Sequence, residues 1–128
     1  MCHPDAVRRQ VVRALGVAVG VAIGLVALVV LLNVTVYFEA SVPPRDELPE
    51  LPSGLEVVNE AEGCGSGSCW REFDVVGASG ESPASILSAL PSEKCSARSW
   101  VDRRPLCVGY RMVADGVRGY VSLGKWWS

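Results

Sequence analysis

From Ala14 to Phe38 the chain reads ALGVAVGVAIGLVALVVLLNVTVYF, 25 consecutive positions without a charged side chain. A helix rises about 1.5 Å per residue and the hydrocarbon core of a bilayer is about 30 Å thick, so about 20 such residues cross it. The run predicts a single transmembrane helix over 14–38. It leaves a tail, 1–13, on one side and room for one small domain on the other. The 49% hydrophobic content therefore says little about that domain's core, since much of it lies in the span.

Charge sets the expected orientation. Arg8, Arg9 and Arg13 precede the run, against Arg45 alone in the stretch that follows, which places the tail in the cytoplasm and the C-terminal domain outside. The expected location is the plasma membrane, with the lipid bilayer as the first partner. A cleaved signal peptide has an apolar core of about 7 to 15 residues and a small-x-small cleavage site. Here the run is longer and Phe38 stands two positions before Ala40, which favours an uncleaved signal anchor. From Glu39 onward 13 acids face 9 bases with no basic stripe, so nucleic acid is not an expected partner.

Within the span Gly16, Gly20 and Gly24 recur every fourth residue, with Ala14, Ala18 and Ala22 on a neighbouring strip. Small residues at this spacing let helix backbones approach closely in lipid, so a transmembrane helix partner is expected, from a second copy or a larger complex. Tyr37 and Phe38 fit an interfacial aromatic belt. Asn33-Val34-Thr35 matches a glycosylation sequon, but its place at the membrane edge argues against use.

Residues 39–53 carry Pro43, Pro44, Pro49 and Pro52 and read as a linker. Extended polyproline geometry would let it hold the domain up to about 40 Å from the membrane. From residue 54 to 128, short apolar runs broken by Gly, Ser and Asp predict a small α+β domain. PLCVGYRMVA and VRGYVSL flank Asp115-Gly116, a strong hairpin signal. With Ala114 facing Val117, Met112 faces Gly119 and Tyr110 faces Val121. One face then collects Leu106, Val108, Tyr110, Met112, Val117, Val121 and Leu123, and the other Cys107, Arg111, Arg118, Tyr120 and Ser122. A first hairpin joins LEVVNE to CWREFDVVG through Gly63 to Ser68, although its valines fall on both faces. Between the hairpins Ser82-Pro83 caps a two-turn helix bearing Ile86, Leu87 and Leu90, ended by Pro91. The expected order is ββαββ, an antiparallel sheet with one short helix.

The compartment decides the cysteine chemistry. Cys2 precedes the span, while Cys64, Cys69, Cys95 and Cys107 lie beyond it, an even number in an oxidising environment. Pairs Cys64 with Cys69 and Cys95 with Cys107 are expected to staple the domain. The second is in tension with a Cys107 that faces away from the helix, because a loop carrying Cys95 would have to wrap round the sheet. The spacings lack the C-x2-4-C knuckle of a structural zinc site and the C-x-x-C of a redox pair.

The only histidine is His3, before the span, so no Ser-His-Asp or Cys-His constellation is available outside. Glu72 and Asp74 share a strand face, but two acids on a solvated face are not a glycosidase pair without a cleft. GCGSGSC lacks the Lys-Ser/Thr ending of a phosphate loop. No catalytic residue, metal or cofactor is expected. Trp70, Trp100, Trp126 and Trp127 are numerous for so small a domain. Trp100, Arg103, Arg104, Trp126 and Trp127 are candidate interaction residues.

GCGSGSCWREFDVVG and PLCVGYRMVADGVRGYVSL resemble the outer domains of small single-pass membrane proteins of GC-rich, actinobacterial-like Gram-positive bacteria, over roughly residues 60 to 123. A preponderance of Arg over Lys, ten to two, fits such a genome. The resemblance implies a membrane-anchored outer domain and no particular activity. The expected function is that of a non-catalytic accessory or interaction subunit. The alternatives are an extracytoplasmic module that binds a ligand or cell-wall fragment through its tryptophans with Arg98, Arg103 and Arg104, and a thiol-disulfide redox protein.

Overall fold

A computed structural model describes residues 4–78 and 80–126. The chain begins with one long helix, α1 (Pro4–Thr35), long and apolar enough to cross a membrane. It extends back through the basic tail and ends at Thr35, three residues before Phe38. Val36 and Tyr37 donate their backbone N–H groups to the Leu32 carbonyl at 2.8 and 3.0 Å, which closes the last turn.

The domain is one antiparallel sheet of five strands: β1 (Glu56–Gly65), β2 (Ser68–Val76), β3 (Lys94–Ala97), β4 (Pro105–Val113) and β5 (Gly116–Gly124), in the order β1-β2-β5-β4-β3. The short helix α2 (Pro83–Ala89) follows β2. Ser82 caps it by accepting from the Ser85 N–H at 3.2 Å, and Pro83 occupies its first turn. The α+β architecture is the expected one with a strand added. The segment KCSA, expected as part of a loop, shows no alternation of apolar and polar residues, and pairing with the edge of β4 holds it in place as β3. It also removes the difficulty with Cys95, which sits directly opposite Cys107 on the neighbouring strand. The structure joins Cys64 to Cys69 and Cys95 to Cys107.

Both hairpin turns differ from the sequence expectation. In the first, Gly63 and Gly65 belong to β1 and only Ser66-Gly67 make the turn, both in the left-handed region at φ 51° and 84°. Farther along, Asn59 and Glu60 together oppose Phe73, a bulge with Asn59 at φ 53°. The extra residue exchanges the two faces of β1 beyond Val58, while Val57 and Val58, adjacent in the regular part of the strand, point to opposite sides.

In the second hairpin Val113 pairs with Gly116, so the turn is Ala114-Asp115 rather than Asp115-Gly116. Tyr110 thus faces Gly119, and Met112 faces Val117. Each residue stays on its expected face, because every partner moves by two positions and side chains alternate with period two. Packing selects the observed register. Gly119 lies between Phe73 on β2 and Tyr110 on β4, and a Cβ there would come within 2.4 Å of the Phe73 ring and 3.0 Å of the Tyr110 ring. The two rings meet edge-on above it, centroids 6.3 Å apart. On the other face Tyr120 lies over Gly109 and Trp70 over Gly63 in the same way, each ring opposite its glycine.

The core occupies one side of the sheet: Phe73, Val75, Val117 and Val121 packed against Ile86 and Leu90. Leu48 and Leu51 also pack here, so residues 39–53 are not a free spacer. Pro43 is buried and its carbonyl accepts from Arg71 Nε at 3.1 Å, Arg45 pairs with Glu60 at 2.7 Å, and Arg45–Glu47 form a single 3-10 turn. An extended proline-rich chain has about three residues per turn, so Leu48 and Leu51 fall on one side of it and line the sheet. The segment lies along the domain.

Candidate functional site

The densest polar constellation lies where α1 meets the β3–β4 loop, residues 98–104. Asn33, two residues before the end of α1, is fully buried. Its Nδ2 donates to the carbonyls of Val29 at 2.8 Å and Val101 at 2.6 Å, and its Oδ1 accepts from the Arg103 N–H at 2.8 Å. An amide has two donors and two acceptor lone pairs; here three bonds tie one helical turn to a loop some 70 residues away in sequence.

The loop is shaped from within. Ser99 Oγ accepts from the Asp102 N–H at 2.8 Å and the Val101 N–H at 3.3 Å, and the Ser99 N–H donates to the Asp102 carbonyl at 2.9 Å. This turn buries Asp102, 4% exposed, against Arg104, 5% exposed. Arg104 Nε reaches Asp102 Oδ1 at 2.9 Å and Nη2 reaches Oδ2 at 2.7 Å, a two-pronged pair. Arg104 Nη1 donates to the Glu39 carbonyl and to Ser41 Oγ, both at 2.9 Å, and the guanidinium lies over the Tyr37 ring, 5.3 Å from its centroid. Arg98 adds a bond to Asp102 Oδ2 at 3.1 Å and another to Glu47 Oε1 at 2.6 Å. Burial would raise the Asp102 carboxyl, but hydrogen bonds from Arg104, then its charge and Arg98, hold it below the ordinary value. Burial would likewise lower Arg98, and the carboxylates of Glu47 and Asp102 outweigh it and raise its pKa.

The candidate interaction residues separate accordingly. Arg104 is a buried structural cation rather than a surface one, and Arg98 is committed to two carboxylates. Trp100 is 90% exposed at the loop tip, and Arg103 is exposed beside it, donating Nη1 to the Ser99 carbonyl at 3.3 Å. Trp126 is half-buried just past β5. Trp127 lies outside the described residues, as do Cys2 and His3. Gly16, Gly20 and Gly24 have open space where a Cβ would stand.

The uncovered face of the sheet carries a shallow depression of about 400 Å³ lined by Ser68, Trp70, Glu72, Arg111, Tyr120 and Ser122. Glu72 and Arg111 in it pair at 3.2 Å, as do Asp74 and Arg118 farther along the same face. Tyr120 donates to Glu93 Oε1 at 2.6 Å. Burial first, then that carboxylate, pushes its phenol up to about 12. Among the described residues no group of three His, Cys, Asp or Glu is placed to hold a metal ion.

Asn33 and Asp102 organise the junction although neither stands out in the sequence as a site residue. Asn33 was visible as the one amide in an otherwise apolar run, where a polar group needs a partner. Asp102 gave no such signal within a run of three charges. Comparison of the chain with protein-family models, curated proteins and solved structures finds no match.

Proposed function

We propose that the chain is an uncleaved single-pass membrane protein, N-terminus in the cytoplasm, whose disulfide-stapled outer domain works without catalysis as an accessory or interaction subunit. The observation that carries this reading is the burial of Asn33, bonded to both Val101 and Arg103. A signal peptide is discarded without loss to the mature fold. Here cleavage after the apolar run would remove Asn33 and Tyr37, leaving the 98–104 loop short of partners. Helix and domain behave as one piece, as suits a subunit whose outer part is positioned by its anchor.

The glycine stripe supports a helix partner. Gly24 precedes Asn33 by nine residues, about two and a half turns, so it faces the side of α1 opposite the docked loop. A second helix can reach the stripe without meeting the domain.

Cys2 provides the test, since the other four cysteines are paired. In intact cells a membrane-impermeant maleimide should leave the full-length chain unlabelled and react once the membrane is permeabilised. Labelling of intact cells, or loss of the N-terminal residues from the mature chain, refutes the topology. Mild detergent extraction should then recover α1 in a complex or oligomer; a strictly monomeric chain with no partner refutes the subunit role.

A further inference from the structure

From Arg13, the last charge before the apolar run, to Asn33 is about 30 Å of helix, the thickness of the hydrocarbon core. A spanning α1 with Arg13 at one boundary therefore has Asn33 at the other. Asn33 holds the backbone of Val101 and Arg103 within 2.6 and 2.8 Å of its amide, so the 98–104 loop stands at that same boundary.

At its tip the loop presents two apolar side chains. Trp100 is 90% exposed and Val101 42%, an arrangement that leaves a large ring in water. At a headgroup boundary the amphipathic indole has its preferred surroundings. Arg103 is exposed next to it, while Arg98 and Arg104 are occupied by Asp102 and Glu47.

The sheet register supplies a second, independent observation. Ala97 pairs with Pro105 and Leu106 with Leu123, so the end of β3, the start of β4 and the end of β5 share one end of the sheet. Lys125 and Trp126 follow β5 at that end, and the Lys125 N–H donates to the Gly67 carbonyl at 3.2 Å, which brings the β1–β2 turn alongside. The opposite end carries the Ala114-Asp115 turn.

The geometry points to this end of the domain as a lipid-docking surface, a conclusion that rests on the spanning reading above. Trp100 and Val101 enter the headgroup layer of the outer leaflet, Arg103 faces lipid phosphates, and Trp126 follows β5 at the same end of the sheet. The domain is seated on the bilayer, with the Ala114-Asp115 turn pointing away from it.

The test uses the full chain reconstituted in phosphatidylcholine–phosphatidylglycerol vesicles that contain a headgroup spin-labelled lipid, with tryptophan fluorescence as readout. W100F should lose the largest single share of the lipid-dependent quenching, more than W126F. Because Trp100 is nearly all exposed, W100F should keep the wild-type unfolding midpoint, so the loss cannot be put down to misfolding. Flotation of the vesicles and Cys2 labelling report separately on insertion and orientation. Unchanged quenching in W100F, with the chain inserted, overturns the docking surface and leaves the anchor standing. A chain that does not float with the vesicles overturns both. If the helix is inserted in reverse, the orientation falls and the W100F comparison alone decides the docking.

Discussion

Replacing Asp102 by Asn changes the charge at the centre of the helix–loop junction while keeping its shape. The carboxylate accepts Arg104 Nε and Nη2 at 2.9 and 2.7 Å, the Arg104 N–H at 3.2 Å and Arg98 Nη1 at 3.1 Å. An Asn offers one oxygen where two were used and turns an N–H₂ toward a guanidinium that has no use for a donor. Arg104, with 7% of its side chain exposed, is left as a buried cation without a counter-charge. Removing one partner of a buried pair costs about 3 to 5 kcal/mol. Arg104 keeps the Glu39 carbonyl and Ser41 Oγ, and Arg98 keeps Glu47, so the expected loss is at the lower end, about 3 kcal/mol, roughly a hundredfold in the folded-to-unfolded ratio. Denaturant unfolding of the full chain in micelles, followed by tryptophan fluorescence, measures it. D115N, in an exposed turn, should stay within about 0.5 kcal/mol of wild type and serves as control. The pH dependence gives a second reading. Asp102 has a depressed folded pKa, so its stabilisation is complete above the ordinary carboxyl value, about 3.9, and is lost as pH falls through the lower folded value. D102N should flatten that part of the acid limb. A D102N protein as stable as D115N, with an unaltered acid limb, would refute the view that this pair holds the junction.

Gly119→Ala places a Cβ 2.4 Å from the fully buried Phe73 ring, so it should cost about 3 kcal/mol by overpacking, whereas Gly20→Ala, with nothing within 4 Å, should leave domain stability unchanged; unfolding midpoints of the two variants check this. Replacing Cys64 and Cys69 by Ser opens a loop of sequence separation 5, and Cys95 with Cys107 one of 12, so chain entropy predicts losses of about 2 and about 3 kcal/mol, measured under the same denaturant conditions. The Tyr120 phenol, raised to about 12, should ionise well above the ordinary value of about 10 in an ultraviolet alkaline titration, and E93Q should bring it down. Its folded pKa is raised, so this stabilisation is present below about 10 and is lost as pH rises toward about 12.

The α+β architecture, the short capped helix and the two cysteine pairs were legible because each rests on local chemistry: a charge-free run, Ser82-Pro83 before an apolar stripe, an even set of outer thiols. The misread parts depend on contacts distant in sequence. The register of the second hairpin places Tyr110 over Gly119, where its ring meets that of Phe73 from another strand. The bulge at Asn59 inverts the faces of β1 within a segment whose valines already looked ambiguous. β3 takes its conformation from β4, and four residues are too few for any period to declare itself. Residues 39–53 looked like a spacer because proline content suggests extension. Extension was correct, but the three-residue spacing of Leu48 and Leu51 was the sign that one side of the segment would be buried.

On the proposed spanning reading, the junction gives α1 a role beyond attachment. A flexible spacer would let the domain sample any orientation above the membrane, and contacts made by α1 in the bilayer would not be felt outside. Asn33 instead fixes the rotation of α1 about its axis relative to the domain, because three hydrogen bonds to two separate backbone groups and its own preceding turn admit one angular setting. Arg104 fixes the exit of the chain a few residues later through Tyr37, Glu39 and Ser41. A helix that packs on the Gly16, Gly20, Gly24 face therefore also decides which way the uncovered sheet face, with Trp70 and Tyr120, is turned. On the proposed docking, the loop end would limit tilt in the same arrangement, so that rotation and tilt would be restrained by different groups: an amide at the helix end and an indole at the loop tip.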